Sequence, residues 1–296
     1  MCKCNHNNCQ FEDFLSSKPH KTSLYFNNED NSDVFCIFHT PIERKTKFTV
    51  DEKEIFQKLL DDYMQHCFFQ RKKINFENVI FLDYGFKNKN LEGLEIDLTN
   101  ATFINNVRFD NLKCKKLILR DTKFLDGGAI KNREKDENLK IGELEFRPYS
   151  LHSDFVIDIG SYVNDEGLVE LDKQGAITEL RFENHKVGSG KIFFIGLNER
   201  VKKADFRNML LDNVFFQNSD LRNCYFLNSK IDKTEFRNCY FDQNNNKKFN
   251  NEIEGEWSWG MLMIFPTILF AAKPLFSMLS SNNIFLFLFL IVCILY

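Results

Sequence analysis

From Phe206 onward a large apolar residue stands at every fifth position: Phe206, Leu211, Phe216, Leu221, Phe226, Ile231, Phe236 and Phe241. Two positions before each centre come mostly small residues, Ala204, Met209, Val214, Ser219, Cys224, Ser229, Thr234 and Cys239. Two positions after stand Asn208, Asn213, Asn218, Asn223, Asn228, Lys233, Asn238 and Gln243. A helix repeats its apolar face at i, i+3, i+4 and i+7, and a long strand alternates with period two, so neither accounts for the pattern. Five residues instead fit one side of a turning coil. With four sides to a turn, the centres and the small residues point inward and the other positions face solvent. Stacked coils then hydrogen-bond at the inter-strand spacing of about 4.8 Å. Asn suits the outer column because it tolerates the backbone conformations that such frequent turning needs, and its amide can bond local backbone or its neighbour one coil away.

A weaker copy lies upstream. Phe76, Phe81, Phe86, Leu91 and Ile96 keep the five-residue step; Leu98 and Phe103 resume it after a slip, and Phe109, Cys114, Leu119 and Phe124 follow a second slip. The inward column there holds Ala101, Val107, Leu112, Leu117 and Thr122. Two blocks with one period predict one solenoid. The 296 residues include 33 Phe against 8 Tyr and 2 Trp, and 32 Asn against 13 Gly and 5 Pro, which supplies both columns and excludes a collagen-like or Pro-rich disordered chain.

The clearest units are ADFRN (Ala204 to Asn208), SDLRN (Ser219 to Asn223) and TEFRN (Thr234 to Asn238). They resemble the pentapeptide-repeat family, whose motif is A(D/N)LXX, over residues 74–124 and 204–243. The resemblance implies a right-handed quadrilateral parallel β-helix, so the fold class expected is mainly β. The chain departs from the motif in one respect: within the second block, Asp precedes the centre only at Asp205 and Asp220. Some members of that family imitate B-form DNA and inhibit type II topoisomerases, which requires a strongly negative face. Residues 204–243 hold six acidic and five basic side chains, and the whole chain has a net charge of −3. That balance disfavours DNA mimicry and direct nucleic-acid binding alike.

Residues 125–203 lose the period. Strand-like runs at Ile141 to Phe146, Phe155 to Ile159, Ile177 to Phe182 and Lys191 to Ile195 are separated by Gly and charged residues. The 82 residues from Phe124 to Phe206 correspond to about four coils of twenty, with side loops expected around 126–140 and 160–176. The predicted organisation is therefore a Cys/His leader (1–48), an amphipathic capping helix (49–73), a β-helix (74–243) with an irregular middle, a polar linker (244–256) and a hydrophobic segment (257–296).

In the leader, Cys4-x4-Cys9 and Cys36-x2-His39 offer three thiols and an imidazole, a set suited to tetrahedral Zn²⁺. Cys2 is an alternative to Cys4, and His6 a weaker one. The intervening stretch is too polar to build a core, so a metal would act as its staple. Four protein ligands leave no place for a water, which makes zinc here structural. A Cys-rich leader containing CxxH is also similar to those of pentapeptide-repeat proteins. Next, Thr49-Val-Asp-Glu52 fits a capping box, and Ile55, Leu59, Leu60, Tyr63, Met64, Cys67 and Phe68 recur at helical spacing. The helix is expected to cover the exposed first coil; the alternative is a helix that binds a partner.

After Glu256, forty residues carry a single charge, Lys273. Trp257 to Ala272 and Ile284 to Tyr296 are apolar, and Met261 to Leu279 approaches the roughly 20 residues a spanning helix needs. Membrane insertion is expected over a hydrophobic cap, because the last run has no polar face. It is read either as half of a short hairpin or as the start of a longer membrane protein. Lys202, Lys203, Lys247 and Lys248 precede the first span and place the N-terminal parts on the cytoplasmic side, where the nine Cys stay reduced. No Gly-rich phosphate loop, GxSxG or HExxH occurs. The function expected is a non-enzymatic scaffold at the cytoplasmic membrane with a protein partner and no small-molecule substrate. The alternative is a truncated channel- or transporter-like protein carrying a cytoplasmic β-helix.

Overall fold

A computed structural model describes Cys4 and residues 9–18, 24–27, 34–132, 139–163, 169–171, 176–184, 187–198, 200–241 and 253–254. The chain divides after Ile253 into two units, the first of which holds the leader, the helices and the solenoid. The hydrophobic segment 257–296, Cys2, His6 and Gln243 lie outside the described residues. Among the described residues no helix is long and apolar enough to cross a membrane.

The protein is mainly β, a parallel solenoid of about six turns, with three helices among the described residues, α1 (Glu12–Ser16), α2 (Ile42–Lys45) and α3 (Val50–Gln70). One sheet stacks Ile74–Asn75, Asn90–Asp97, Lys113–Phe124, Lys140–Leu151, Ala176–Phe182, Lys203–Asp205 and Cys224–Tyr225. A second stacks Val107–Asp110, Gly128–Lys131, Phe155–Asp158, Ile192–Ile195, Val214–Gln217 and Glu235–Arg237. All these neighbours pair in parallel, one coil apart. The hydrogen-bonded rise stacks like on like. Phe206 lies over Phe226 with ring centroids 5.1 Å apart and planes 7° apart, and Phe216 lies over Phe236 at 5.2 Å and 6°. Across the interior, Phe206 meets Phe216 edge to face at 5.2 Å and 84°.

Every upstream centre and inward residue named above is buried, and so are Phe206, Leu211, Phe216, Leu221 and Phe226. Ile231, Phe236 and Phe241, in the last described coil, are only partly buried. The irregular middle continues the same sheets, but with fewer, longer coils than the period implies. The column Phe109, Ile130, Ile157, Phe194, Phe216, Phe236 advances by 21, 27, 37, 22 and 20 residues. Leu119, Phe146, Phe182 and Phe206 stack in the first sheet, so three turns span the segment where four were expected. Part of the surplus is an antiparallel hairpin pairing Ser161–Val163 with Val169–Leu171, and the Leu139 amide donates to Asn132 Oδ1 at 3.0 Å. Within the stretch 126–140, where a side loop was expected, Gly128–Lys131 belongs to the second sheet.

Left-handed backbone falls where the Asn column predicts. Asn208, Asn213, Asn218, Asn228 and Asn238 have φ between 48° and 59°, and upstream Asn78, Asn88, Asn100 and Asn111 have φ between 52° and 61°. Their amides also link coils: Asn228 Nδ2 donates to Asn208 Oδ1 and Asn238 Nδ2 to Asn218 Oδ1, both at 3.2 Å. Asn223 keeps negative φ and donates instead to the Val201 carbonyl. The DxRN corners have a second lock. Asp205 and Asp220 each accept from the backbone amide and guanidinium of the Arg two residues on, at 2.5 to 3.2 Å.

The capping box forms as predicted: Glu52 N donates to Thr49 Oγ1 at 3.2 Å and Thr49 N donates to Glu52 Oε2 at 2.7 Å. The buried stripe is Phe56, Leu59, Leu60, Tyr63, Met64 and Cys67. Ile55 and Phe68, expected inside, are exposed, because the helix is rotated so that Phe56 fills the space beside Phe38.

Replacing Asn228 by Ala should lower unfolding stability by about 1 to 2 kcal/mol, combining left-handed strain with the lost inter-coil bond. Asn228→Gly keeps the backbone relaxed and should lose less than about 1 kcal/mol. Equal losses in chemical denaturation would show that the backbone conformation at this corner contributes nothing.

Candidate metal centre

Cys36 ends a strand, Val34–Cys36, that pairs antiparallel with Tyr25–Asn27. The chain then turns tightly: His39 N donates to the Cys36 carbonyl at 2.9 Å and Thr40 Oγ1 to the same oxygen at 3.0 Å. This turn brings the Cys36 thiol and the His39 ring to one side, with Cys36 Sγ 3.5 Å from His39 Nδ1. Cys9 lies three residues before α1 and 3.6 Å, sulfur to sulfur, from Cys36. Cys4 completes the group with Sγ 3.8 Å from His39 Nδ1, while its backbone N–H donates to Glu12 Oε1 at 3.1 Å. The four ligand atoms all lie within 4.8 Å of one another.

Those separations fit a metal. Ligands at about 2.3 Å for sulfur and about 2.0 Å for nitrogen, set tetrahedrally, stand roughly 3.5 to 3.8 Å from one another. The observed pairs at 3.5, 3.6 and 3.8 Å are of that size. Cys4, Cys36 and His39 are buried and Cys9 is half-buried, so the centre is closed. The four residues could hold a metal ion, as the spacing predicted, and it is the one such group among the described residues.

The thiols divide their protons unequally. Hydrogen bonds from the Cys36 thiol and then the Cys9 thiol hold Cys4 far below the ordinary thiol range, helped by the Cys36 backbone N–H at 3.3 Å. Burial first, then the hydrogen bond to Cys4, pushes Cys36 well up. A contact with Cys36 pulls Cys9 down, but the bond to Cys4 and partial burial outweigh it, leaving Cys9 pushed up to about 12. A dication would take all three sulfurs as thiolates, displacing the protons they carry.

The centre sits on the first coil of the solenoid through contacts the sequence did not announce. Phe11, next to the Cys9 turn, packs on Phe38 at 4.1 Å, on Tyr63 of α3 at 4.9 Å and on Phe76 of the first coil at 6.2 Å. Ile80 N donates to the Phe38 carbonyl at 3.4 Å. Lys45 is wholly buried among these elements. Its Nζ donates to the carbonyls of Phe38, at 2.9 Å, and of Ile80, and lies 4.1 Å from the centre of the Phe56 ring. Burial pushes its ammonium well below the usual lysine range. In sequence it is one of the cations in Glu43-Arg-Lys-Thr-Lys47, a run that reads as a solvated surface; only the Phe38 and Phe48 around it hint otherwise. Cys67 and Cys114, also buried, have thiols raised by desolvation and stand apart from the centre.

No protein-family model, curated protein or solved structure matches the chain.

The full chain purified from a zinc-containing medium should carry about one zinc, and Cys36→Ala should reduce that to below about a tenth, while Cys67→Ser retains it. Because protons compete for the three thiols, zinc affinity should fall as pH drops from about 7.5 to about 5.5. Equal zinc in the wild type and Cys36→Ala, by elemental analysis, would refute the centre.

Proposed function

We propose that this chain is a non-enzymatic scaffold, a pentapeptide-repeat β-helix whose leader is stapled by structural zinc and whose segment 257–296 anchors it to the cytoplasmic membrane. The observation that carries this reading is the pairing of a closed, four-ligand centre with an unbroken stack of parallel sheet. Zinc is favoured by three thiolates with one imidazole in a tetrahedral set. A metal with four protein ligands and no open position holds a fold together and does not activate water. The ADFRN, SDLRN and TEFRN units, with Asn at the corners, support the family and with it the right-handed, four-sided form of the coil.

A rod of stacked sheet binds through its faces. The two sheets differ on their outer sides. The first carries charges that satisfy one another across coils, as in Lys116 with Glu143 at 2.9 Å and Arg181 with Glu143 at 3.2 Å. The second sets Val156, Phe193 and Phe215 in register, with the two rings stacked 4.9 Å apart. Such an apolar stripe suits a protein partner. DNA mimicry is disfavoured because the acids are neutralised locally: Arg207 holds Asp205 below the usual carboxylate range, and Arg222, outweighing burial, does the same for Asp220.

Deleting residues 257–296 should move the protein from the membrane fraction to the supernatant with its zinc content unchanged. Continued sedimentation of the shortened chain with membranes that have been washed in high salt would overturn the anchor.

A further inference from the structure

Helix α3 ends in an apolar tip beside cations. Phe69 is 80% exposed and Phe68 43%, and their rings meet edge to face with centroids 6.1 Å apart. The buried stripe ends at Cys67, so neither ring belongs to the core. Arg71 then turns the chain out of the helix with φ of 52°, its N–H donating to the Phe68 carbonyl at 3.1 Å. That turn places Arg71, Lys72 and Lys73, all exposed, directly after the two rings. Lys73 is held by Asp97 at 2.6 Å. Arg71 and Lys72 make no ion pair among the described residues, and the stretch from Gln65 to Lys73 contains no acid.

We propose that this tip docks on the surface of an anionic lipid bilayer. The chemistry is complementary in two layers. Phenyl rings enter the boundary between headgroups and acyl chains, and the cations next to them meet lipid phosphates at the level where those lie. A convex helix end with two adjacent rings offers no groove for a peptide, and two uncommitted cations are too few to hold a nucleic-acid backbone. A single such tip binds reversibly and orients a protein that is already near the membrane. The docking depends only on residues 65–73 and is separate from the anchor assigned to 257–296.

The test is site-specific photocrosslinking of the full chain. A benzophenone amino acid replaces Phe69, or Tyr149 as a control, since Tyr149 is 50% exposed and lies on the solenoid. Each protein is irradiated with phosphatidylcholine vesicles that contain either no phosphatidylglycerol or about 30 mol% of it. Lipid adducts at position 69 should exceed those at 149 by about tenfold in the anionic vesicles and fall by about tenfold in pure phosphatidylcholine. They should fall by a similar factor with Arg71→Gln and Lys72→Gln together, a pair that leaves the Lys73–Asp97 bridge in place. Equal adduct yields at 69 and 149, insensitivity to lipid charge, or crosslinks at 69 that go to protein instead of lipid would each overturn the proposal. Failure of the 257–296 anchor leaves these readings intact, because it shows as continued sedimentation of the shortened chain and not as loss of adducts at position 69.

Discussion

The distance between one coil and the next is the constraint on which the other features rest. Parallel backbone hydrogen bonding fixes that rise near 4.8 Å, which is also close to the thickness at which two phenyl rings stack. A Phe at a given position of the coil therefore finds its best neighbour in another Phe at the same position one coil away, and the rings of Phe206–Phe226, Phe216–Phe236, Phe86–Phe109 and Phe103–Phe124 are nearly parallel, within 4° to 9°. Asn repeats for the same reason on the outside, where an amide meets an amide. Side-chain identity is propagated vertically by backbone geometry.

A stack of this kind has two ends, and each end exposes core and unpaired strand edge. At the N-terminal end the leader and α3 supply the missing layer. Phe11 and Tyr63 pack on Phe76, with Phe38 on Phe11 and Phe56 on Phe38, and the Phe38 carbonyl takes the hydrogen bond that a further coil would have taken. Two polar groups fasten this cover. One is the cysteine and histidine cluster. The other is Lys45, whose burial costs several kcal/mol before its bonds to two carbonyls offset it. Both fasteners work only when every member is in place, which makes the junction specific more than it makes it stable.

How much could be read in advance follows from what repeats. A column of eight apolar residues at fixed spacing declares a solenoid without any knowledge of three-dimensional contacts, and the positions of left-handed backbone follow from Asn in that column. The metal ligands were legible because Cys4-x4-Cys9 and Cys36-x2-His39 are local pairs, and local pairs survive any arrangement of the chain between them. The turn count over 125–203 was not legible: length alone cannot tell residues that run along a coil from residues that leave it. Nor was Lys45, because burial of a lysine is decided by elements remote in sequence, at Phe38, Phe56 and Ile80. The rotation of α3 was missed because Ile55 and Phe56 are neighbours, and a stripe counted from either fits almost equally well.

The column that advances by 21, 27, 37, 22 and 20 residues keeps its vertical alignment throughout. Spatial phase in this rod is thus independent of contour length, and each corner can extrude chain without passing a register error to the coil above. The hairpin at Ser161–Val163 and Val169–Leu171 is such an extrusion, leaving next to Gly160, where the absence of a side chain lets the Gly196 backbone of the neighbouring coil close in. Corners of this type are natural ports for foreign sequence: a recognition loop grafted there would be displayed at a fixed height along the rod, with the core below and above unaware of it.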